Sequence, residues 1–367
     1  MSGQTLLSKT ALNTICILRL SAIGDVCHAV SMVQSIQRRW PEAKITWIVG
    51  KIEATLLAGL PGVEFIVFDK RGGFSSLFAL RAQLKNRRFD VLLHMQAAFR
   101  ASVVSTCIPA KIKVGFDKAR AREGQWLFTN AAVKAQSQPH VLEGFAAFAE
   151  VLDVSLEAPQ WNMPLSLDDE RWAENHISGA GPFAVISPAA SKAERNWSVE
   201  GYVAVAQYLH SKGFAVVLTG GPSDMEMHLS AEITQGCDFD LVDLVGKTKL
   251  KQLLAILKNA QLVIAPDTGP AHMAVTVGTP VIGLYAHSNP RRTGPYLYQD
   301  YVVNVYDDII QEQYNTHWEV LPWNTRAKGE DLMNNIKVEA VIDKVDAVLQ
   351  DFYTDNDGAS NRWFRID

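Results

Sequence analysis

A chain of 367 residues, 48% of them apolar, exceeds what a single hydrophobic core usually serves, so two domains are expected. Its 35 Lys plus Arg against 39 Asp plus Glu leave a net charge of −4, which excludes a surface tuned throughout to a polyanion and sets nucleic acid aside as a partner. Four cysteines without a C-x-x-C pair fit a reduced, cytoplasmic compartment; the first fourteen residues lack a signal peptide's apolar core, and no run reaches the length of a membrane span, so any meeting with a membrane would be from its surface.

In chain order, "ICILRL" reads as a strand, and residues 26–39 as an amphipathic helix with Val26, Ala29, Val30 and Val33 on its apolar side. "KITWIVG", a helical stretch from 52, "VEFIVF", a helix over 75–87 and "FDVLLHM" follow. Short apolar runs alternating with longer amphipathic ones predict βα units feeding a parallel sheet. A Pro- and Asp-rich break, "LDVSLEAPQWNMPLSLDDERWAENHISGAGP", predicts a linker near 155–170. The alternation then resumes with "FAVISP", "FAVVLTG", "LVDLVG", "LVIAPD" and "PVIGLYA". The expected domains are 1–165 and 166–336, and in the closing segment 337–367 a helix crosses back toward the first domain before a polar, mobile tail.

The strand "LVIAP" hands over to a helix through Asp267, Thr268, Gly269 and Pro270. Proline suits a first helical turn, where its missing N–H costs nothing. The unpaired N–H groups and aligned peptide dipoles of such a start favour an anion, and Gly269 allows close approach to the backbone. Two plainer readings stand beside this one: Thr268 as an ordinary helix cap and His272 as a packing residue. In "ILRLSAIGDVCHAV" the junction lacks the G-x-G-x-x-G pattern and is no P-loop. Asp25 there is either a helix cap or a carboxylate presented as a general base. In "SPAASKAERNWSVEGY", Lys192 and Arg195 can reach a diphosphate, Ser198 caps a helix, and Glu200 reads as a solvated acid. "LTGGPSD" offers Ser223 or Asp224 to ribose hydroxyls, with Glu226 read as solvated.

Together, "SAIGDVCHAV", "SPAASKAERNW", "LTGGPSD" and "LVGKTKLKQLLAILKNAQLVIAPDTGPAHMAVTVGTPVIGLYAHSNP" resemble the bacterial ADP-heptose lipopolysaccharide heptosyltransferase family over residues 15–350, and "ARE" at 121–123 and "HVLEGF" at 140–145 are similar to its N-terminal half. The resemblance implies an α/β chain of the GT-B fold, two Rossmann-like domains facing a central cleft, the first holding the acceptor and the second the nucleotide sugar. It implies inverting transfer of heptose from ADP-heptose to the inner core of lipopolysaccharide or a lipid A precursor. Carried over by motif, Asp25 is the general base, while Ser187, Lys192, Arg195, Asp224, Asp267, Thr268, Gly269 and His272 surround the nucleotide sugar. Arg195 stands where the family usually has Lys, which leaves Lys192 and Arg195 both open as the phosphate cation, and the family's ribose-binding Glu has no clean counterpart.

A lipid acceptor bearing phosphate and acidic sugars suits Arg100, Arg120 and Arg122, grouped with Lys70 and Arg71, and Trp126 or Phe74 could rest at the inner-membrane surface. The D-x-D triplets at Asp238–Asp240 and Asp355–Asp357 read as solvated acids, and no metal is expected to be required. The rival readings are another GT-B enzyme with a different nucleotide sugar, either a transferase or a non-hydrolysing epimerase, and a non-catalytic nucleotide-sugar binding module.

Overall fold

Strands in a parallel sheet are covered on both faces, which is why they read as unbroken apolar runs. The computed structural model describes residues 12–155, 158–177, 179 and 181–353, and the chain divides between Pro164 and Leu165 into two compact units. The first holds β1 (Thr14–Leu18), β2 (Lys44–Gly50), β3 (Val63–Phe68), β4 (Phe89–His94), β5 (Ala110–Gly115) and β6 (Ala131–Ala132), with α1 (Ile23–Arg39), α2 (Lys51–Leu57), α3 (Gly73–Gln83), α4 (Phe99–Ser105) and α5 (Val141–Glu150). The sheet is parallel throughout, in the order β3-β2-β1-β4-β5-β6. Ile17 lies opposite Trp47 on one side and Leu93 on the other. Leu80 of α3 and Leu84 just after it, with Ala101, Val104 and Ile108 of the α4 segment, close one face over Cys16, Leu18 and Ile48, while α1 packs against α5.

The second unit repeats the plan with β7 (Phe183–Ile186), β8 (Ala215–Leu218), β9 (Val242–Asp243), β10 (Leu262–Pro266), β11 (Val281–Tyr285) and β12 (Val303–Asn304) in the order β12-β11-β10-β7-β8-β9. Its helices are α6 (Leu167–Ile177), α7 (Val199–Ser211), α8 (Asp224–Gly236), α9 (Leu250–Asn259), α10 (Gly269–Thr276), α11 (Pro290–Thr293), α12 (Tyr306–Tyr314) and α13 (Val338–Tyr353). In both units the chain starts in the middle, works outward for three strands and returns beside its first. The order reverses between β1 and β4, and again between β7 and β10; open α/β sheets bind ligands just beyond the strand ends at such a switch.

The expectation that the last helix returns to the first domain is corrected. Val341, Val345 and Val348 form one apolar stripe on α13 and are buried in the core of the second unit with Tyr202, Leu209 and Ile310. Tyr208 donates to Asp346 at 2.6 Å and Lys344 Nζ to the Asp300 carbonyl at 2.6 Å, fixing the helix at both sides. A stripe at that spacing must meet an apolar surface, and α7 with the β11–β12 edge supplies it. The tail from 354, with Asp355 and Asp357, lies outside the described residues. Asp238 and Asp240 are exposed, and the Phe239 between them stacks on His210 at 4.0 Å. Among the described residues no His, Cys, Asp and Glu group could hold a metal, and no helix is long and apolar enough to cross a membrane.

Candidate active site

In the second unit, β10 is buried along its whole length and Asp267 is the first residue beyond it. Thr268 is extended (φ −147°, ψ 163°) and precedes the first turn of α10, in which Pro270 sits. The Thr268 side chain makes no capping hydrogen bond, so it does not close the helix start. Asp267 instead organises its surroundings: its carboxylate accepts from Ser288 Oγ at 2.8 Å and Thr293 Oγ1 at 3.4 Å, with Arg195 Nη1 at 3.6 Å and His272 Nε2 at 3.8 Å. Burial alone would push this carboxyl upward; the His272 imidazole first, then Ser288 and Arg195, outweigh it and hold the group below its ordinary value. The result is an ionised acid lashed to two basic side chains at an open helix start.

Neighbouring strand ends complete this face. Beyond β7, residues 193–195 form a single helical turn, and Asn196 Oδ1 pins the loop by accepting from Ala190 N at 2.8 Å. Trp197 donates to the Ile336 carbonyl at 3.1 Å and packs so closely on α7 that a Cβ at Gly201 would lie 2.5 Å from its ring. Beyond β8, Ser223 caps α8 by accepting from Glu226 N, and the Glu226 carboxylate folds back to accept from Ser223 Oγ at 3.1 Å and from Gly221 N. A Cβ on Gly220 would stand 2.9 Å from Glu226 Oε2, so the glycine pair is what admits this side chain. Beyond β11, residues 287–288 pair with 326–327: Ala327 N donates to the His287 carbonyl at 3.0 Å, and Ser288 bridges Arg326 in antiparallel fashion. The segment after α12 thus clips the loop that presents Ser288 to Asp267.

In the first unit, Asp25 is the third residue of α1, in the first turn after the junction from β1. Its Oδ2 accepts from Ala22 N at 2.9 Å and pairs with Arg19. Asp25 is still 27% exposed, whereas Arg19 is largely enclosed: it donates to the Met95 carbonyl at 2.6 Å and lies over the Phe145 ring at 5.1 Å. From the end of β4, Gln96 Oε1 accepts from Leu20 N at 2.7 Å, fixing the path of the junction.

Residues 77–317 match Glycosyltransferase family 9 (heptosyltransferase). The chain is 47% identical over 329 residues to the lipopolysaccharide core heptosyltransferase OpsX of Haemophilus influenzae, covering 90% of this chain and 95% of that protein. It belongs to glycosyltransferase family 9, the heptosyltransferases. An Escherichia coli lipopolysaccharide heptosyltransferase 3 is 24% identical across 89% of this chain and 96% of its own length. Two solved structures share the fold at 20% identity: a family 9 glycosyltransferase from Veillonella parvula (TM-score 0.76, 93% of this chain and 99% of that one) and the E. coli ADP-heptose LPS heptosyltransferase II (TM-score 0.71, 92% and 99%). The fold is GT-B, with one Rossmann-like unit in each half.

Within this heptosyltransferase the structure brings Arg195, Asp267 and His272 together, beside Thr268 and Gly269. It separates the two cations left open by the sequence: the Arg195 side chain is 14% exposed and lies at Asp267, while that of Lys192 is 55% exposed and pairs outward with Glu194 at 3.4 Å. Three expectations need correction. Ser187 is 1% exposed and its hydroxyl is spent on Thr219 at 2.6 Å, tying the ends of β7 and β8 together rather than facing a ligand. Asp224 is exposed on the first turn of α8, and Glu226, read as a solvated acid, is the carboxylate that occupies the β8 loop. Arg120 is locked in place by Asp117, Gln136 Oε1 at 2.6 Å and the Lys134 carbonyl at 3.2 Å, so each of its three guanidinium nitrogens is engaged within its own unit. Arg100 and Arg122 remain exposed. Arg19 and Ser288 escaped the sequence reading, which took Glu226 only as a solvated acid. For Glu226 the signal was available, since Ser223-x-x-Glu226 has the spacing of a capping box.

Proposed function

We propose that this heptosyltransferase moves heptose from ADP-heptose to the inner core of lipopolysaccharide, or to a lipid A precursor, with inversion at the anomeric carbon. The acceptor hydroxyl attacks that carbon, its bond to the diphosphate oxygen breaks, ADP departs, and Asp25 takes the hydroxyl proton. The observation that carries the reading is the open start of α10 with Arg195 and His272 gathered around Asp267, a site chemically suited to a sugar diphosphate. Arg195 and the α10 N–H groups bind the diphosphate, Asp267 orients the sugar hydroxyls, and Glu226 holds the ribose from the end of the unit's second strand, the place a Rossmann fold reserves for that acid. Those positive groups stabilise the leaving diphosphate, so the proposed reaction requires no metal.

Arg19 serves Asp25 by holding its side chain aimed; it is a positioning residue. A general base supplies about 10²–10⁴-fold in rate and a helix dipole about 0.3–2 kcal/mol, short of the roughly 8–23 kcal/mol an enzyme provides. Fixing acceptor and sugar in line, worth up to about 7–11 kcal/mol, must supply much of the rest. Arg100 and Arg122 are assigned to the acceptor's phosphates and acidic sugars, and the protein works from the cytoplasm as a peripheral membrane enzyme. The test is a thermal-shift panel of ADP, UDP, GDP and CMP: ADP should stabilise most, because a ligand stabilises according to its occupancy of the native state. Stabilisation by UDP alone would transfer the site to a different donor class.

A further inference from the structure

Helix α3, "GFSSLFALRAQ", has a single charge and is apolar on two sides. Leu77 and Leu80 face the core of the first unit, yet Phe74 and Phe78, one turn apart, are 80% and 71% exposed on the other side. A soluble helix normally turns a polar face to water. The exposed apolar surface continues from there. Arg100 Nη1 donates to the Lys70 carbonyl at 3.1 Å, which ties the start of α4 to the loop leading into α3, and Cys107 Sγ meets the Leu77 carbonyl at 3.8 Å farther along. Phe99 is exposed beside Arg100; its N–H is held by Glu123 at 2.5 Å and its ring meets Phe128 edge-on at 6.4 Å. Trp126 and Leu127, the latter 77% exposed, immediately precede Phe128. Five large apolar side chains therefore lie exposed along a connected rim beyond the ends of β3, β4 and β5.

The rim is also cationic, although the whole chain carries a net −4. Arg71, Arg100 and Arg122 are exposed along it, while its acids are engaged: Asp69 accepts from Arg71 N at 2.8 Å, Asp117 pairs with Arg120, and Glu123 holds Phe99 N. We propose that this rim, centred on Phe74, Phe78, Phe99, Trp126 and Leu127, docks on a bilayer surface rich in anionic headgroups. Aromatic and aliphatic side chains enter the headgroup boundary, where Trp is favoured, and the arginines meet lipid phosphates; the combination of apolar area and positive charge is what interfacial binding requires. The inference deepens the lipid-acceptor reading above and rests on it only for its purpose, because the binding itself needs no substrate.

The test is flotation of the full-length protein with vesicles of phosphatidylethanolamine and phosphatidylglycerol, against vesicles of phosphatidylcholine alone, with no sugar substrate present. Wild type should float with the anionic vesicles, less so at high salt, and weakly with the neutral ones. Phe74→Ser/Phe78→Ser should bind about tenfold less or weaker, with unchanged thermal midpoint and unchanged transfer to a water-soluble, delipidated acceptor. Leu127→Ser should reproduce the loss in smaller degree. Wild type failing to float, or the double variant floating equally well, would overturn the proposal; so would a wild-type dimer that the double variant converts to monomer, which would make the rim a contact between copies. Failure of sugar transfer with flotation intact would count against the proposed reaction alone.

Discussion

The junctions after β1 and after β10 are built alike, each a buried strand passing into a helix at a carboxyl edge, but they end in opposite electrostatics. After β1 the helix start is filled from within, because Asp25 turns back to the Ala22 N–H and pairs with Arg19. After β10 the Thr268 side chain makes no such bond, and Arg195 and the His272 imidazole gather instead on Asp267 just outside the helix. One topology thus yields a partly exposed carboxylate in the first unit and, in the second, an uncapped helix start beside Arg195, the face proposed above to bind the diphosphate. The difference lies in a single choice, whether the third residue of the helix is an acid that caps it or a residue such as Ala271 that cannot.

Breaking the first junction should have the largest effect. Asp25→Asn keeps a capping oxygen and removes the base, so turnover should fall about 10²–10⁴-fold with the thermal midpoint little changed. Arg19→Ala should cost less in turnover and should lower kcat with little change in KM for the donor, and Arg19→Lys should restore part of the loss, a rescue that simple loss of packing would not show. At the second junction Arg195→Ala removes a charge-assisted contact worth about 1.5–3 kcal/mol, so ADP should bind roughly 10–100-fold more weakly, whereas Lys192→Ala should leave ADP binding near wild type in the same titration.

Asp267 gives the comparison a pH dependence. Its folded-state value lies below the ordinary 3.8, so its contribution to stability is complete above that value and is lost as pH falls through the depressed one. Asp267→Asn should therefore flatten the acid end of the stability curve and leave its neutral-to-alkaline shape unchanged, as read by denaturant melts between pH 2 and 7. The smallest effect belongs to Ser187→Ala, which strands the Thr219 hydroxyl and should lower stability by about 1–3 kcal/mol while leaving ADP affinity where it was.

Much of the architecture could be read from the apolar runs, because a doubly covered parallel strand has to be apolar throughout and its ends mark where loops emerge. Asp267 stood out as an acid at the point where such a run stops, and Asp25 as an acid in the first turn of the helix that follows one; the roles proposed for them rest on that placement. What was not legible depends on where a side chain turns. Ser187 occupies a strand end like Asp267, yet its short hydroxyl meets Thr219 across one strand spacing. Glu226 sits a helical turn away from its loop and returns to it only because Gly220 and Gly221 leave room. Arg120 resembles Arg122 in sequence and differs because Asp117 and Gln136 enclose it. The stripe of α13 was visible, but a stripe specifies only that an apolar partner exists, and two units offered one.

The central claim divides the labour between the junctions, proton removal at Asp25 and diphosphate binding at Arg195. It is tested most directly by measuring turnover and ADP-heptose affinity together in Asp25→Asn and Arg195→Ala. The expected result is a crossed pattern, with turnover lost at unchanged donor affinity in the first variant and donor affinity lost in the second. Asp25→Asn turning over at the wild-type rate would contradict it.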